Sequence, residues 1–193
     1  MKDLILIGGG GHCKACIDVI ESTNLYNIIG ILDLPEKIGN TVLNYSIIDS
    51  DDKIPVLAKD YKYFFITIGQ IGYSEIRVKL YNILKDLNIN LPTIISQDAY
   101  VSKHSKIGQG TIIMHKSVIN AGAEVGNNCI INNMALIEHD AVIKNHCHVS
   151  TGAIINGGSI VNDNCFVGSH ATCIEYKQIP EKYFVKAGSV FKG

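Results

Sequence analysis

The 193-residue chain has almost no arginine: Arg77 is the only one among seventeen lysines and arginines. One guanidinium cannot make an arginine cluster, so an anionic ligand has to be held mainly by lysines, backbone N–H groups and polar side chains. There is no excess of charge of either sign. Seventeen basic against eighteen acidic residues leave a formal charge of -1, which excludes the broad basic footprint of a nucleic-acid binder and a strongly acidic tail. No apolar run approaches the ~20 residues of a membrane-spanning helix. Met1-Lys2-Asp3 leads into a short strand-like run without the long apolar region of a signal peptide. The expectation is a cytoplasmic protein with neither membrane insertion nor a nucleic-acid partner. What the chain does contain, 47% hydrophobic residues, is enough for a sizeable core.

Six cysteines would suggest disulfides in a secreted chain, but that context is missing. Cys13 and Cys16 form a C-x-x-C, a spacing found in redox sites and in half-sites for metals. With Ile17 and Ile20 they also fit the buried stripe of a short helix, and no metal site is expected. Cys129, Cys147 and Cys165 are spaced by eighteen residues each.

The N-terminal stretch reads as strand, glycine turn and helix: Leu4 to Ile7, Gly8 to Gly11, then His12 to about Glu21. Absent β-carbons allow a tight turn and close approach of a ligand, while N–H groups at the helix start can receive an anion. Gly8, Gly10, Gly11 and His12 are therefore candidate ligand contacts. A second strand, Ile28 to Leu32, ends at Asp33, near where a dinucleotide-binding unit offers a carboxylate to ribose. The G-x-G-x-x-G pattern is incomplete, because Cys13 stands where a third small residue belongs. A later strand, Tyr63 to Ile68, leads into Gly69-Gln70, a second loop at the carboxyl edge of the same sheet. Ile76, Leu80, Ile83, Leu84 and Leu87 mark one helix face, and Pro92 precedes a last short strand from Thr93 to Ser96. The segment from Pro35 to Pro55 is expected to be a loop with little regular structure. Residues 1–95 thus form a small Rossmann-like α/β domain that suits a nucleotide or nucleotide-sugar ligand.

From Val101 one apolar position recurs every six residues, through Ile107, Ile113, Ile119, Val125 and Ile131 to Val167, with Cys173 and Ile179 beyond. Two residues before each stands a small side chain, from Ala99 and Ser105 through Cys129 and Ala135 to Ala171. A helix wants a period near 3.6 and a plain strand wants two, so neither explains a strict six. A coil whose hexads each supply a short strand and a bend does, three hexads closing one triangular turn. Residues n and n+18 then stack on adjacent turns, ~4.8 Å apart. The three spaced cysteines become one buried ladder with no catalytic duty.

These hexads resemble the left-handed parallel β-helix of the hexapeptide-repeat acyltransferases, with Ile107-Gly108, Val125-Gly126 and Val167-Gly168 as strict examples. The whole chain resembles the bacterial sugar acetyltransferases that include nucleotide-amino-sugar N-acetyltransferases and sialic-acid O-acetyltransferases. The resemblance rests on Ile7 to His12, Ile66 to Gln70, Ile76-Arg77, Val118 to Asn120, Ile137-Glu138-His139-Asp140, and His148-Val149-Ser150 with Gly152. It implies a left-handed β-helix over residues 96–193 that binds acetyl-CoA between neighbouring coils, a homotrimer, and an N-terminal domain for the sugar nucleotide. The tail departs from the family's Gly-x-Pro-Ala, ending instead Lys186-Ala187-Gly188 and five further residues.

Among the histidines, His139 stands at a coil edge beside Asp140, where a neutral imidazole can take a proton near neutral pH and the carboxylate can orient it. Residues alone leave a polar bend as the other reading. The resemblance makes His139 the catalytic base, Asp140 its partner, and His148 the donor to the thioester carbonyl. Gly158 and Gly168 are candidates for backbone contacts along the pantetheine. Gly8, Gly10, Gly11, His12, Asp33, Gly69 and Gln70 are assigned to the sugar nucleotide. The implied activity is acetyl transfer from acetyl-CoA to a UDP-linked 4-amino sugar in surface-glycan synthesis. The alternatives are O-acetylation of a sialic-acid-like sugar and a non-catalytic nucleotide-sugar-binding scaffold.

Overall fold

The computed structural model describes residues 1–193, which divide into two units. One comprises residues 1–69 and 76–92, the other residues 70–75 and 93–193. The loop at 70–75 and residues 93–95 thus group with the repeats, whereas the expectation from sequence is a single boundary after residue 95.

In the first unit, β1 (Lys2–Ile7), α1 (Gly11–Thr23) and β2 (Tyr26–Asp33) form the expected strand–helix–strand. Cys13, Cys16, Ile17 and Ile20 are buried on α1, as the helical stripe requires. The segment after Asp33 differs from expectation. It holds β3 (Thr41–Val42) and β4 (Tyr45–Ser50), followed by the short α2 (Ile54–Leu57). Leu43, at φ 52°, helps turn the β3–β4 hairpin. β4 pairs in parallel with β2 through Ile31 and Ile47. Only Ile47 and Ser50 of β4 are fully buried, so the strand offers too little hydrophobic alternation to stand out among Asn and Asp residues.

With β5 (Tyr63–Ile66) the sheet runs β3-β4-β2-β1-β5, parallel except at the hairpin. Its carboxyl edge brings together the ends of β5, β1, β2 and β4. α3 (Glu75–Asp86) buries Arg77, Leu80, Tyr81 and Leu84, while Ile76 and Leu87 face outward. Arg77 is 1% exposed and donates from Nη1 to the carbonyls of Ile66 (3.3 Å) and Ile68 (2.5 Å). The one guanidinium therefore closes the end of β5.

In the second unit, two-residue strands recur every six residues from Ile94 to Phe191 and pair in parallel eighteen residues apart, as in Val118 with Leu136 and Ile130 with His148. They form three sheets of six, five and six strands. Thr93 to Ser96, read as the last strand of the α/β domain, instead supplies the first rung, with Ile94 paired to Ile112. The inward column from Ile113 to Val185 and the small-residue column from Ala123 to Ala171 fill one core.

Two devices make the turn. From Gly110 to Gly188 every sixth residue has φ between 53° and 77°, including Lys116, Asn128, Asp140, His146 and Tyr176. This left-handed residue lies three places after each inward one, so every bend has the same backbone form. The glycine directly after an inward residue serves differently. A Cβ on Gly108 would lie 2.6 Å from the carbonyl carbon of Gly126, and one on Gly168 2.5 Å from the Ala187 nitrogen. These glycines are required by close approach between turns.

The small column also forms hydrogen bonds. Thr111 Oγ1 donates to Gly126 O at 2.7 Å, Cys129 Sγ to Lys144 O at 3.0 Å, Cys147 Sγ to Asn162 O at 3.0 Å and Cys165 Sγ to Pro180 O at 2.8 Å. Each satisfies a corner carbonyl fifteen residues ahead, where no strand partner reaches. The cysteines are unpaired and buried. Contacts with the Cys129 and Cys165 thiols, together with burial, push the Cys147 thiol well above its usual range, so it is no nucleophile.

Candidate functional site

The coil carries a close histidine–carboxylate pair at an exposed bend. His139 Nδ1 lies 3.0 Å from Asp140 Oδ2, and both side chains are more than half exposed. Asp140 is the left-handed residue of its bend, at φ 58°, and this turns its carboxylate back beside the preceding ring. The hydrogen bond to Asp140 raises the imidazole pKa above its ordinary value, against the opposing effect of desolvation. With Nδ1 facing the carboxylate, Nε2 is left as the site for proton exchange.

The eighteen-residue stacking places His139 between Ala121 and Gly157. Asp140 N donates to Ala121 O at 3.3 Å, and Gly158 N donates to His139 O at 3.1 Å. A Cβ on Gly157 would meet His139 Nε2 at 2.7 Å, so the ring occupies space that only glycine leaves open. Gly122 opens space for Asp140 in the same way, its Cβ position colliding with Oδ1. The Gly157 N–H makes no hydrogen bond within the chain.

Four expected contacts change here. The Gly158 and Gly168 amides donate to the carbonyls of His139 and Val185, so neither has an N–H free for pantetheine. His148 is 6% exposed, with Nδ1 at 2.6 Å from Gln70 O and Nε2 at 3.1 Å from Asn132 Nδ2. Against a carbonyl, Nδ1 must carry the proton, and Nε2 then accepts from the amide. Both nitrogens are engaged, so His148 has no N–H to offer a thioester carbonyl in this arrangement. Gln70, assigned to the sugar nucleotide, instead donates from Nε2 to His146 O at 3.1 Å and fastens the 70–75 loop to the coil. Lys182 over the Tyr73 ring, at 5.1 Å, adds a second attachment.

The α/β unit holds the other expected residues. A cavity of about 430 Å³ at the carboxyl edge of its sheet is lined by Gly8, Gly10, Gly11, His12, Asp33 and Gly69. The lining also contains Leu34, Lys37, Asp51, Ile68 and Ile76, none of which is assigned to the ligand from sequence. The glycines divide by role. Gly8 has φ 101° and a Cβ position 2.3 Å from Ile68 Cγ1, so the turn itself demands it. Gly10 and Gly11 have nothing within 4 Å of theirs, so the space beside them is open. No side chain caps α1, and its first turn contains no acid. Its leading N–H groups and dipole therefore favour an anion.

Asp33 is committed to the protein. Its carboxylate accepts from Gly9 N at 2.7 Å, Leu34 N at 2.8 Å and Lys37 Nζ at 3.0 and 3.1 Å. Burial works to raise its pKa, but the Leu34 amide, the Lys37 ammonium and the Gly9 amide outweigh it and hold the carboxyl below the usual range. Asp33 thus ties β2 to the glycine turn, which leaves little capacity for ribose. Asp51 is in the opposite state: burial and the charges of Asp33 and Asp52 raise its pKa against Lys37, and its Oδ1 is buried without a partner. No group of three or more His, Cys, Asp or Glu that could hold a metal occurs, and no helix is long and apolar enough to cross a membrane.

Two family models match the chain: the PglD N-terminal domain over residues 3–84 and the bacterial transferase hexapeptide (six repeats) over residues 104–139. Among solved structures, a histidine-to-asparagine mutant of perosamine N-acetyltransferase from Caulobacter crescentus, in complex with CoA and GDP-perosamine, is 27% identical. It has a TM-score of 0.90 over 99% of this chain and 89% of that one. The acetyltransferase domain of PglB from Neisseria gonorrhoeae is 25% identical, with a TM-score of 0.91 over 99% of this chain and 91% of the domain. In its complex with acetyl coenzyme A the same domain gives 27% and 0.86, over 97% and 89%. A search of curated proteins gave no match. The likeness over nearly the whole chain identifies the coil as a left-handed parallel β-helix.

Proposed function

We propose, for a chain that belongs to the hexapeptide-repeat acetyltransferase family, transfer of an acetyl group from acetyl-CoA to the amine of a nucleotide-linked amino sugar. The observation that carries this reading is the His139–Asp140 pair set over Gly157. The relatives solved with CoA, acetyl coenzyme A and GDP-perosamine supply the substrate classes. A UDP-linked 4-amino sugar of surface-glycan synthesis was the acceptor implied by the sequence resemblance, and its amine chemistry is kept here.

In the proposed reaction the neutral amine attacks the thioester carbonyl, forming a C–N bond and a tetrahedral centre. His139 Nε2 takes the proton from nitrogen while Asp140 stabilises the imidazolium. Collapse breaks the C–S bond, and the CoA thiolate leaves. The unpaired Gly157 N–H, next to the imidazole, is a candidate donor to the carbonyl oxygen as it gains charge. His148 acts one step back: with Asn132 it holds the Gln70 loop against the coil. The open glycines Gly10 and Gly11 and the uncapped start of α1 would receive the nucleotide phosphates.

A homotrimer is part of the proposal. The outward column Tyr100, Val118, Leu136, Ile154, Thr172 and Val190 gives one coil face an apolar stripe, with Tyr100 and Val190 more than half exposed. Such a stripe suits burial against further copies.

The test is incubation with acetyl-CoA and a panel of nucleotide-linked 4-amino sugars, following free thiol and the mass of the acetylated product. An amide product supports the reading, whereas an ester would move it to O-acetylation. No turnover across the panel by folded, CoA-binding protein would reject it. His139→Ala should keep CoA binding and lose turnover by about 10²–10⁴-fold. Undiminished activity would remove His139 as base.

A further inference from the structure

Resting on the nucleotide-sugar reading of the cavity, we propose that Asp51 reads the edge of the nucleobase and selects guanine. The first step is the carboxylate inventory. Asp33, where a ribose contact is expected of this type of unit, is occupied by Gly9, Leu34 and Lys37. Asp51 lines the same cavity with Oδ1 buried and unpartnered. A buried acceptor without a donor is costly, and rotation of the carboxylate toward a ligand bearing N–H groups removes that cost.

Position along the sheet separates base from ribose. The phosphate-receiving turn follows β1, Asp33 ends β2, and Asp51 follows β4, in the spatial order β4-β2-β1. Strand ends lie ~4.8 Å apart, so Asp51 stands two spacings, ~10 Å, from the glycine turn. A ribose joined directly to the α-phosphate lies over β2, one spacing away. The far edge of the base reaches the second.

The chemistry then separates the bases. An ionised carboxylate only accepts, and it accepts best from two adjacent donors. Guanine presents N1–H and the N2 amino group side by side, with O6 next to them. Uracil offers one N–H between two carbonyl oxygens, which would face the carboxylate unfavourably. Adenine and cytosine each place a ring acceptor beside their amino group. Lys37, which also lines the cavity, carries an ammonium donor suited to O6.

The experiment measures binding of GDP, inosine diphosphate and UDP to the full chain by calorimetry, with wild type and Asp51→Asn. Melting temperature and CoA binding serve as controls for folding. Wild type should bind GDP about 10- to 100-fold tighter than UDP, the discrimination that a bidentate base contact supports. Inosine diphosphate, lacking the N2 amino group, should fall between them. Asp51→Asn should lose most of the GDP preference while UDP affinity changes less than about threefold. Equal binding of GDP and inosine diphosphate by wild type would overturn the proposal even if the variant failed to fold. So would UDP binding as tight as GDP, or an equal loss for all three nucleotides in a folded Asp51→Asn. Binding of none of the three would instead reject the nucleotide reading of the cavity.

Discussion

Gly157→Ala isolates the support beneath the proposed base from the base itself. An added Cβ would lie 2.7 Å from His139 Nε2 and 2.8 Å from Cε1. Ordinary carbon contacts begin near ~3.5 Å, so the ring must withdraw by about 0.8 Å. Gly157 is outside the left-handed region, so alanine adds no backbone strain and the coil should keep its stability. A misplacement of about 1 Å at a reacting group costs on the order of 10²-fold, so kcat should fall roughly 30- to 100-fold. KM for both substrates should stay within about threefold, because the lost interaction is made mainly in the transition state. The assay is steady-state thiol release, with melting temperature and CoA binding on the same preparations. Gly158→Ala is the informative neighbour: its φ is 65° and its Cβ would meet the Tyr176 ring at 2.6 Å. That variant should lose about 1–2 kcal/mol of stability from the left-handed backbone, with a smaller fall in kcat. Wild-type turnover in Gly157→Ala would refute the geometry. A loss of kcat that merely follows the loss of stability across both variants would refute it too.

Asp140→Asn should move the acid limb of the pH–rate profile to lower pH. The carboxylate raises the His139 pKa, the base acts when neutral, and removing the cause lowers the pH at which it becomes neutral. The plateau should fall as well, and an unmoved limb would count against the pair. Asp33→Asn should cost about 1–3 kcal/mol at neutral pH, the range for hydrogen bonds to a charged group. Because the folded pKa of Asp33 is depressed, its contribution is present above the unfolded carboxylate value and lost as pH falls through the folded one. Urea unfolding of variant and wild type should therefore converge in acid, and a pH-independent difference would show a different cause. Cys147→Val should destabilise by about 1–3 kcal/mol, since the Asn162 carbonyl loses its donor and a methyl enters a full corner. Cys147→Ser, which keeps a donor, should cost less in the same unfolding measurement.

The coil was legible in the sequence because its period leaves no other regular structure to choose. The inward and small columns from Val101 onward fall where eighteen residues per turn place them. The α/β unit was legible where burial is continuous, at β1, α1 and β5, and illegible at β4. There a parallel strand is built on Ile47 and Ser50 between polar flanks, and its omission also hid Asp51. Arg77 was read beside the phosphate problem, yet it lies inside the domain and satisfies the end of β5. For His148 and Gln70 the resemblance gave residues but not partners. Sequence cannot show that a loop 78 positions away in the chain will take the imidazole proton.

The strongest functional signal in the repeat is a glycine that the fold does not need. Coil glycines elsewhere answer to the backbone: Gly110, Gly122, Gly152, Gly158 and Gly188 have left-handed φ, and Gly108, Gly126 and Gly168 sit where the next turn comes too close for a Cβ. Gly157 has neither reason. It occupies the place two after an inward residue, where other turns carry Gln109, His115, Asn127, Asn145, Thr151, Asp163 and Glu175 without difficulty. What sets it apart is the residue stacked on it, His139, whose other neighbour eighteen residues back is the small Ala121. A histidine kept in place only for its polarity at a bend would not require small residues on both sides. A histidine whose Nε2 must stay open, and beside which an amide N–H is left unpaired, does.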